Sequence, residues 1–256
     1  IRPPYETGYT QDDVTVFNSL CASIVADIPQ GTNAEKLLWL HDYLVTHCEY
    51  DLSLTKRDAY TALVEGCTVC DGYAKAFKHL CDLAGLTCEY VSSVENKHAW
   101  NLVQVKDDGD TAWYYVDCTW DDPTSGSGLT PESTCSHANF LMSREECAVK
   151  HLSDDWINGR KESVYDYPTS TKYQDCWWED LNRSVQWVGT LMCYARSDDL
   201  SQVFFRNSGA ASETAVTIQG GGEYWLVWGD SSSAWRGSYI TVASYDGAFY
   251  YSTPTQ

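Results

Sequence analysis

Cys70 is the residue best placed for chemistry. It opens the stretch Cys70-Asp71-Gly72-Tyr73-Ala74, which reads as the first turn of a helix. Ala74, Phe77, Cys81 and Ala84 recur behind it at spacings of three and four, and Gly85 follows as a stop signal. A thiol at a helix start faces unpaired N–H groups and the positive end of the helix dipole, which favours the thiolate. The Cys70 amide is a natural oxyanion donor, and Gly72 would let a substrate backbone approach closely. Taken alone, the same pattern also describes a structural cysteine.

A hairpin downstream supplies a partner. Lys106-Asp107-Asp108-Gly109 is a polar turn between the alternating runs His98–Val105 and Asp110–Asp117. If Val105 pairs with Asp110, His98 falls directly opposite Asp117, with Cβ atoms ~5 Å apart on one face. A carboxylate there would hold the imidazole's tautomer and stabilise its cation, leaving the other nitrogen to deprotonate a thiol. A register two residues different would separate the pair. The large aromatics nearby, Trp100 and Trp120 among them, are expected to wall a cleft.

Three blocks in order carry a family resemblance. Ala59-Tyr60-Thr61-Ala62-Leu63-Val64, Gly66 and Val69-Cys70-Asp71-Gly72-Tyr73-Ala74-Lys75-Ala76-Phe77 resemble the nucleophile segment of the transglutaminase-like superfamily. His98-Ala99-Trp100-Asn101 resembles its histidine segment, and Trp113-Tyr114 through Asp117 to Trp120-Asp121-Asp122-Pro123 its aspartate segment. Phe140, Ser143, Glu145, Glu146 and His151 resemble the segment downstream, so the likeness spans about residues 34–155. It implies a papain-like core and a Cys70–His98–Asp117 triad acting on amide carbonyls through a thioester. Tyr60 is the candidate side-chain donor to the oxyanion. The resemblance leaves the reaction open, because the superfamily holds cross-linking transferases, peptidases, deamidases and inactive members. Hydrolysis needs the fewest additional parts, so a cysteine peptidase or amidase is expected, with transamidation or a silent binding module as alternatives. The expected substrate is a peptide or protein amide.

The elements that must position these residues follow from periodicity. Leu37, Leu38, Leu40, Leu44 and Val45 share a helical stripe after Asn33, taken as the N-cap. From residue 88 to 119 the period changes to two, giving strands over 89–94, 98–105 and 111–119. A short helix over 144–150 precedes a loop running to about Pro168. Beyond it the sequence is β-patterned: residues 170–256 hold one lysine and short apolar runs set off by glycines. One of those runs, Val185–Tyr194, reads as a single strand. The expected architecture is therefore α+β. Residues 1–165 form a transglutaminase-like, papain-like domain of helices packed on an antiparallel sheet, and residues 166–256 form a β-rich sandwich or barrel, either an independent domain or an extension packed on the first.

Composition narrows the partners. With 17 basic against 36 acidic residues, the net charge is −19, which argues against a nucleic acid or an anionic membrane surface. No apolar run approaches the roughly 18 residues of a membrane span, and Ile1-Arg2-Pro3-Pro4 does not read as a signal peptide. The wealth of aromatics, the scarcity of lysine and the Thr/Pro-rich terminus fit an excised extracellular or cell-surface module of a bacterial protein. Other modules of that protein are expected partners.

Cys67-x-x-Cys70 has no second ligand pair of zinc spacing, and Asp107-Asp108-Gly109-Asp110 is better explained as a turn than as a calcium loop. Neither metal nor cofactor is expected, and His41, His47, His79, His137 and His151 are read as structural. The eleven cysteines leave one over if paired, and Cys70 is the one expected to stay free; fewer than five bridges are expected among the rest.

Overall fold

The computed structural model describes residues 8–107, 109–123, 135–151, 155–157, 160–161, 170–196, 202–217, 224–227, 234–237, 241–245 and 248–252. The expected boundary near 165 and the Thr/Pro terminus lie outside them. Two helices come first, α1 (Gln11–Ala26) and α2 (Asn33–His47). Both begin with a reciprocal capping box, Thr10 with Asp13 and Thr32 with Glu35, so the N-cap of α2 is one residue before the expected Asn33. The Asp107 carboxylate also accepts from the Asn33 and Ala34 amides at 2.8 and 3.0 Å. These orphan donors thus receive a negative charge where the dipole favours one.

The chain continues through β1 (Glu49–Tyr50), α3 (Ala59–Leu63) and β2 (Cys67–Thr68), then α4 (Cys70–Leu83), which ends before Gly85 at φ +73°. β3 (Thr87–Ser93), β4 (His98–Asp107) and β5 (Asp110–Val116) follow as an antiparallel set. After α5 (Arg144–Lys150), β6 (Asp155–Ile157) and β7 (Arg160–Lys161) complete a five-stranded sheet of order β5-β4-β3-β6-β7. The protein is thus α+β, with helices against an antiparallel sheet.

Alternation along β4 divides the interior. Val103 and Val105 join the main cluster with Leu37, Leu44, Phe77 and Leu80 of α2 and α4. Trp100 and Leu102 point the other way, into a second cluster with Val91, Tyr115, Met142 and Cys147. The amide of Asn101 ties this strand to α4 by donating to the Ala74 carbonyl at 2.9 Å.

Among the described residues, the C-terminal β-structure is an open sheet and two hairpins, not a closed barrel. β8 (Gln186–Val188), β9 (Leu191–Tyr194), β10 (Gln202–Asn207) and β11 (Thr214–Thr217) form an open sheet of order β11-β10-β9-β8. β12 (Tyr224–Val227) pairs with β13 (Ala234–Gly237), and β14 (Thr241–Tyr245) with β15 (Ala248–Ser252). The expected single strand over 185–194 is a hairpin, because Gly189 takes φ +61° and turns the chain.

The C-terminal chain shares the main core: Trp178, Leu181, Val185, Met192, Tyr194 and Phe204 lie in one cluster with the side chains of α2 and α4. Glu35 reaches across to accept from the Ser208 hydroxyl and the Gly209 amide. All eleven cysteines are unbridged; nine are buried, and Cys67 and Cys176 are partly exposed.

Candidate active site

Cys70 is the first residue of α4, with Val69 as N-cap, so its amide is among those that intrahelical bonding leaves unpaired. The helix can start this close to β2 because residue 72 is glycine. A Cβ there would fall 1.8 Å from the Thr68 hydroxyl oxygen and 2.7 Å from the Thr68 Cβ. Gly72 was expected to admit substrate; in the structure it is buried and its missing side chain admits Thr68.

The hairpin turn is tighter than expected. Asp107 pairs with Asp110 across it and Asn101 with Val116, a shift of two residues from the Val105–Asp110 pairing. Gly109 at φ +83° supplies the turn conformation. In this register Asp117 lies beyond the end of β5, diagonal to His98 on the same face instead of directly opposite. The pair forms nonetheless, because a histidine and an aspartate are long enough to span the diagonal. His98 Nε2 lies 2.6 Å from Asp117 Oδ2.

With Nε2 committed to Asp117, the other nitrogen, Nδ1, is left for the thiol. Cys70 packs against Ala99, the neighbour of His98, and its thiol acts on the His98 ring; each is 9% exposed, whereas Asp117 is fully buried. Burial alone would lower the His98 pKa, but hydrogen bonds to Asp117 and Cys70 and their negative charges more than reverse this, raising it to about 9. Burial pushes the Asp117 carboxyl up, and the hydrogen bonds from His151 and His98 outweigh it, holding the group below the usual carboxylate range. The Thr119 and Trp120 amides donate to its second oxygen at 3.0 and 3.2 Å.

His151, read from the sequence as structural, stands in this site. Its Nε2 lies 2.9 Å from the same Asp117 oxygen that His98 uses. Trp120 covers both imidazoles, with ring centroids 4.9 Å from His98 and 4.2 Å from His151, and is 42% exposed. Trp100 is 1% exposed and packs beneath the two histidines. Tyr60 faces elsewhere: it stacks on Tyr9 and Phe17, and its hydroxyl donates to Asp13 of α1 at 3.3 Å. That contact turns its hydroxyl toward α1. Tyr50 lies near Cys70, where burial and the thiolate charge both push its phenol up.

A thiol at a helix N-terminus, an imidazole and a buried carboxylate thus stand in that chain order on a helix-against-sheet core. Residues 19–118 match the family profile of the transglutaminase-like superfamily. Two curated relatives share part of the chain. The kyphoscoliosis peptidase of Mus musculus is 29% identical over 145 residues, 49% of this chain and 20% of that protein. Its Homo sapiens counterpart is 32% identical over 140 residues, 46% of this chain and 20% of that protein. The chain thus spans about a fifth of these relatives' length. A crystal structure of a TGase aligns over 45% of this chain and 35% of its own, at 15% identity and a TM-score of 0.36.

Proposed function

We propose that the protein is a cysteine-dependent acyl-transfer enzyme, acting as a peptidase or amidase on peptide or protein amides. The observation that carries this reading is the chain of contacts from Asp117 through His98 to Cys70 at the start of α4. The Cys70 thiol gives its proton to His98 and the thiolate attacks the amide carbonyl. The resulting oxyanion lies where the Cys70 amide can donate to it. His98 returns the proton to the leaving amine, and a thioester remains. Water, deprotonated by His98, then releases the acid. Asp117 stays ionised throughout and holds the tautomer. A peptidase name on the curated relatives supports the same class.

The decisive experiment is active-site labelling joined to turnover. Iodoacetamide at about pH 6, where an ordinary thiol of pKa ~8.5 is nearly inert, is expected to modify Cys70 rapidly, and His98→Ala to abolish that reactivity. Incubation with a glutamine-bearing peptide, with and without a primary amine, then separates the reactions: free acid and ammonia mark hydrolysis, an amine adduct marks transamidation. Labelling no faster than that of an unfolded control, together with no turnover of a peptide library, would leave a silent binding module as the reading. The composition supports an exported bacterial module within a larger surface protein, and fractionation of the source cells tests that placement.

A further inference from the structure

We propose that His41, Asp42, Cys135 and His137 form a closed, four-ligand site for zinc, which fastens the C-terminal chain and the Asp117 loop onto α2. The proposed reaction uses none of these residues. All four are buried, and one ligand atom from each lies within 4.8 Å of the others.

Their separations suit one ion. Asp42 Oδ1 lies 3.0 Å from His41 Nδ1, 2.8 Å from His137 Nε2 and 3.6 Å from Cys135 Sγ, and that sulfur lies 4.0 Å from His137 Nε2. A tetrahedral zinc with ordinary bond lengths sets such ligand-to-ligand edges at roughly 3.3–3.6 Å. These four edges lie within about 0.5 Å of that range, and the remaining two, from His41 to His137 and to Cys135, are within 4.8 Å. Two imidazoles, a thiolate and a carboxylate are also the borderline-soft donor set that zinc selects over magnesium or calcium.

The outer hydrogen bonds point the same way. His41 Nε2 faces the Asp121 carboxylate at 3.1 Å, and His137 Nδ1 faces the Leu181 carbonyl at 3.1 Å. Both partners only accept, so each ring carries a hydrogen on its outer nitrogen. A neutral ring with its proton there aims a lone pair inward, as metal-bound histidines do. Both inner nitrogens converge on one Asp42 oxygen, a meeting that ring protons or a single divalent cation can hold; the cation would take all three atoms at once. The remaining Asp42 oxygen accepts from the Val185 amide at 2.7 Å, which completes the outer set.

The site would join three distant parts of the chain. The Cys135 amide donates to the Asn182 carbonyl, and Asp121 accepts from both the backbone and the side-chain amide of Asn139. Asn139 in turn accepts from the Asp117 amide at 2.9 Å, so the cluster braces the segment that presents the candidate catalytic carboxylate.

The test uses the full chain carrying Cys70→Ser, so that the candidate nucleophile contributes no metal-binding thiolate and failure of the proposed reaction leaves this result untouched. Elemental analysis is expected to find about one equivalent of zinc. Cobalt(II) exchanged into the protein is expected to show tetrahedral d–d bands and a thiolate-to-cobalt charge-transfer band. Adding Cys135→Ser is expected to remove the charge-transfer band, and His137→Ala to abolish stoichiometric uptake. The unfolding midpoint is expected to rise with zinc and saturate at that equivalence. The inference is overturned if Cys70→Ser protein, as purified and after refolding with zinc or cobalt, takes up no stoichiometric metal. A thiolate band that survives Cys135→Ser overturns it equally. Because the parent uptake result stands without the further variants, their failure to fold would not rescue the idea.

Discussion

Asp117 receives four donors: two imidazoles on one oxygen and two backbone amides on the other. Asp117→Asn would turn one oxygen into a donor facing His98 or the amides, and kcat is expected to fall by about 10⁴-fold, the scale set by tautomer loss in triads. Single-turnover acylation measures it. His151→Phe keeps the stacking under Trp120 but removes one claim on the carboxylate. His98 is then expected to titrate at higher pH, which imidazole NMR would show directly; an unmoved titration would mean that His151 does not compete for Asp117.

The raised His98 value also sets a pH dependence. Because it rises from 6.5 to about 9, the folded chain binds more protons than the unfolded chain between those limits. The stabilisation is fully present below pH 6.5 and is lost as pH climbs through about 9. Urea midpoints of the protein and of His98→Gln should converge over that window. At this scale the meeting of His98 with Asp117 was legible in residue type and alternation, although through a register two residues off. His151 was not, because 34 residues separate it from Asp117 and no local pattern records their meeting.

Among the elements, the contact of α4 with β2 decides where the nucleophile stands. Gly72→Ala forces a methyl into Thr68, and a loss of about 1–3 kcal/mol is expected from overpacking, with Cys70 displaced along with its helix. Thr68→Gly in the same chain should restore most of the midpoint, which distinguishes this clash from a helix-propensity effect, since alanine is the better helix former. Sequence periodicity found α2, α4 and the three strands β3–β5, since each has a strong period and a clear stop. It misjudged the turn by two residues. Asp107 already pairs with Asp110, so the polar Lys106 and Asp107 continue β4 instead of leaving it. Asp107 has a further duty there, capping α2 across 74 residues, and such a contact leaves no trace in local spacing.

For the whole molecule, the core is continuous from α2 and α4 to β10, so a fragment ending at residue 165 would expose Trp178's neighbours and the apolar faces that Leu181, Val185, Met192 and Tyr194 cover. Such a fragment is expected to lose cooperative unfolding, as read by circular dichroism and by proteolysis, whereas a chain ending near residue 217 should retain it. The compositional shift toward short, glycine-separated runs announced β-structure but left open whether it stands alone or packs on the first part, because shared burial is a property of the assembled core. The unbridged cysteines give this assembly a further consequence. With nine of eleven sulfurs buried, the folded chain keeps nearly all its thiols away from oxidants, and the first complete opening exposes every one. In an oxidising medium, mispaired disulfides would then form faster than the chain could recover. Its persistence there would be a matter of opening rate, with each excursion to the unfolded state carrying a chance of no return.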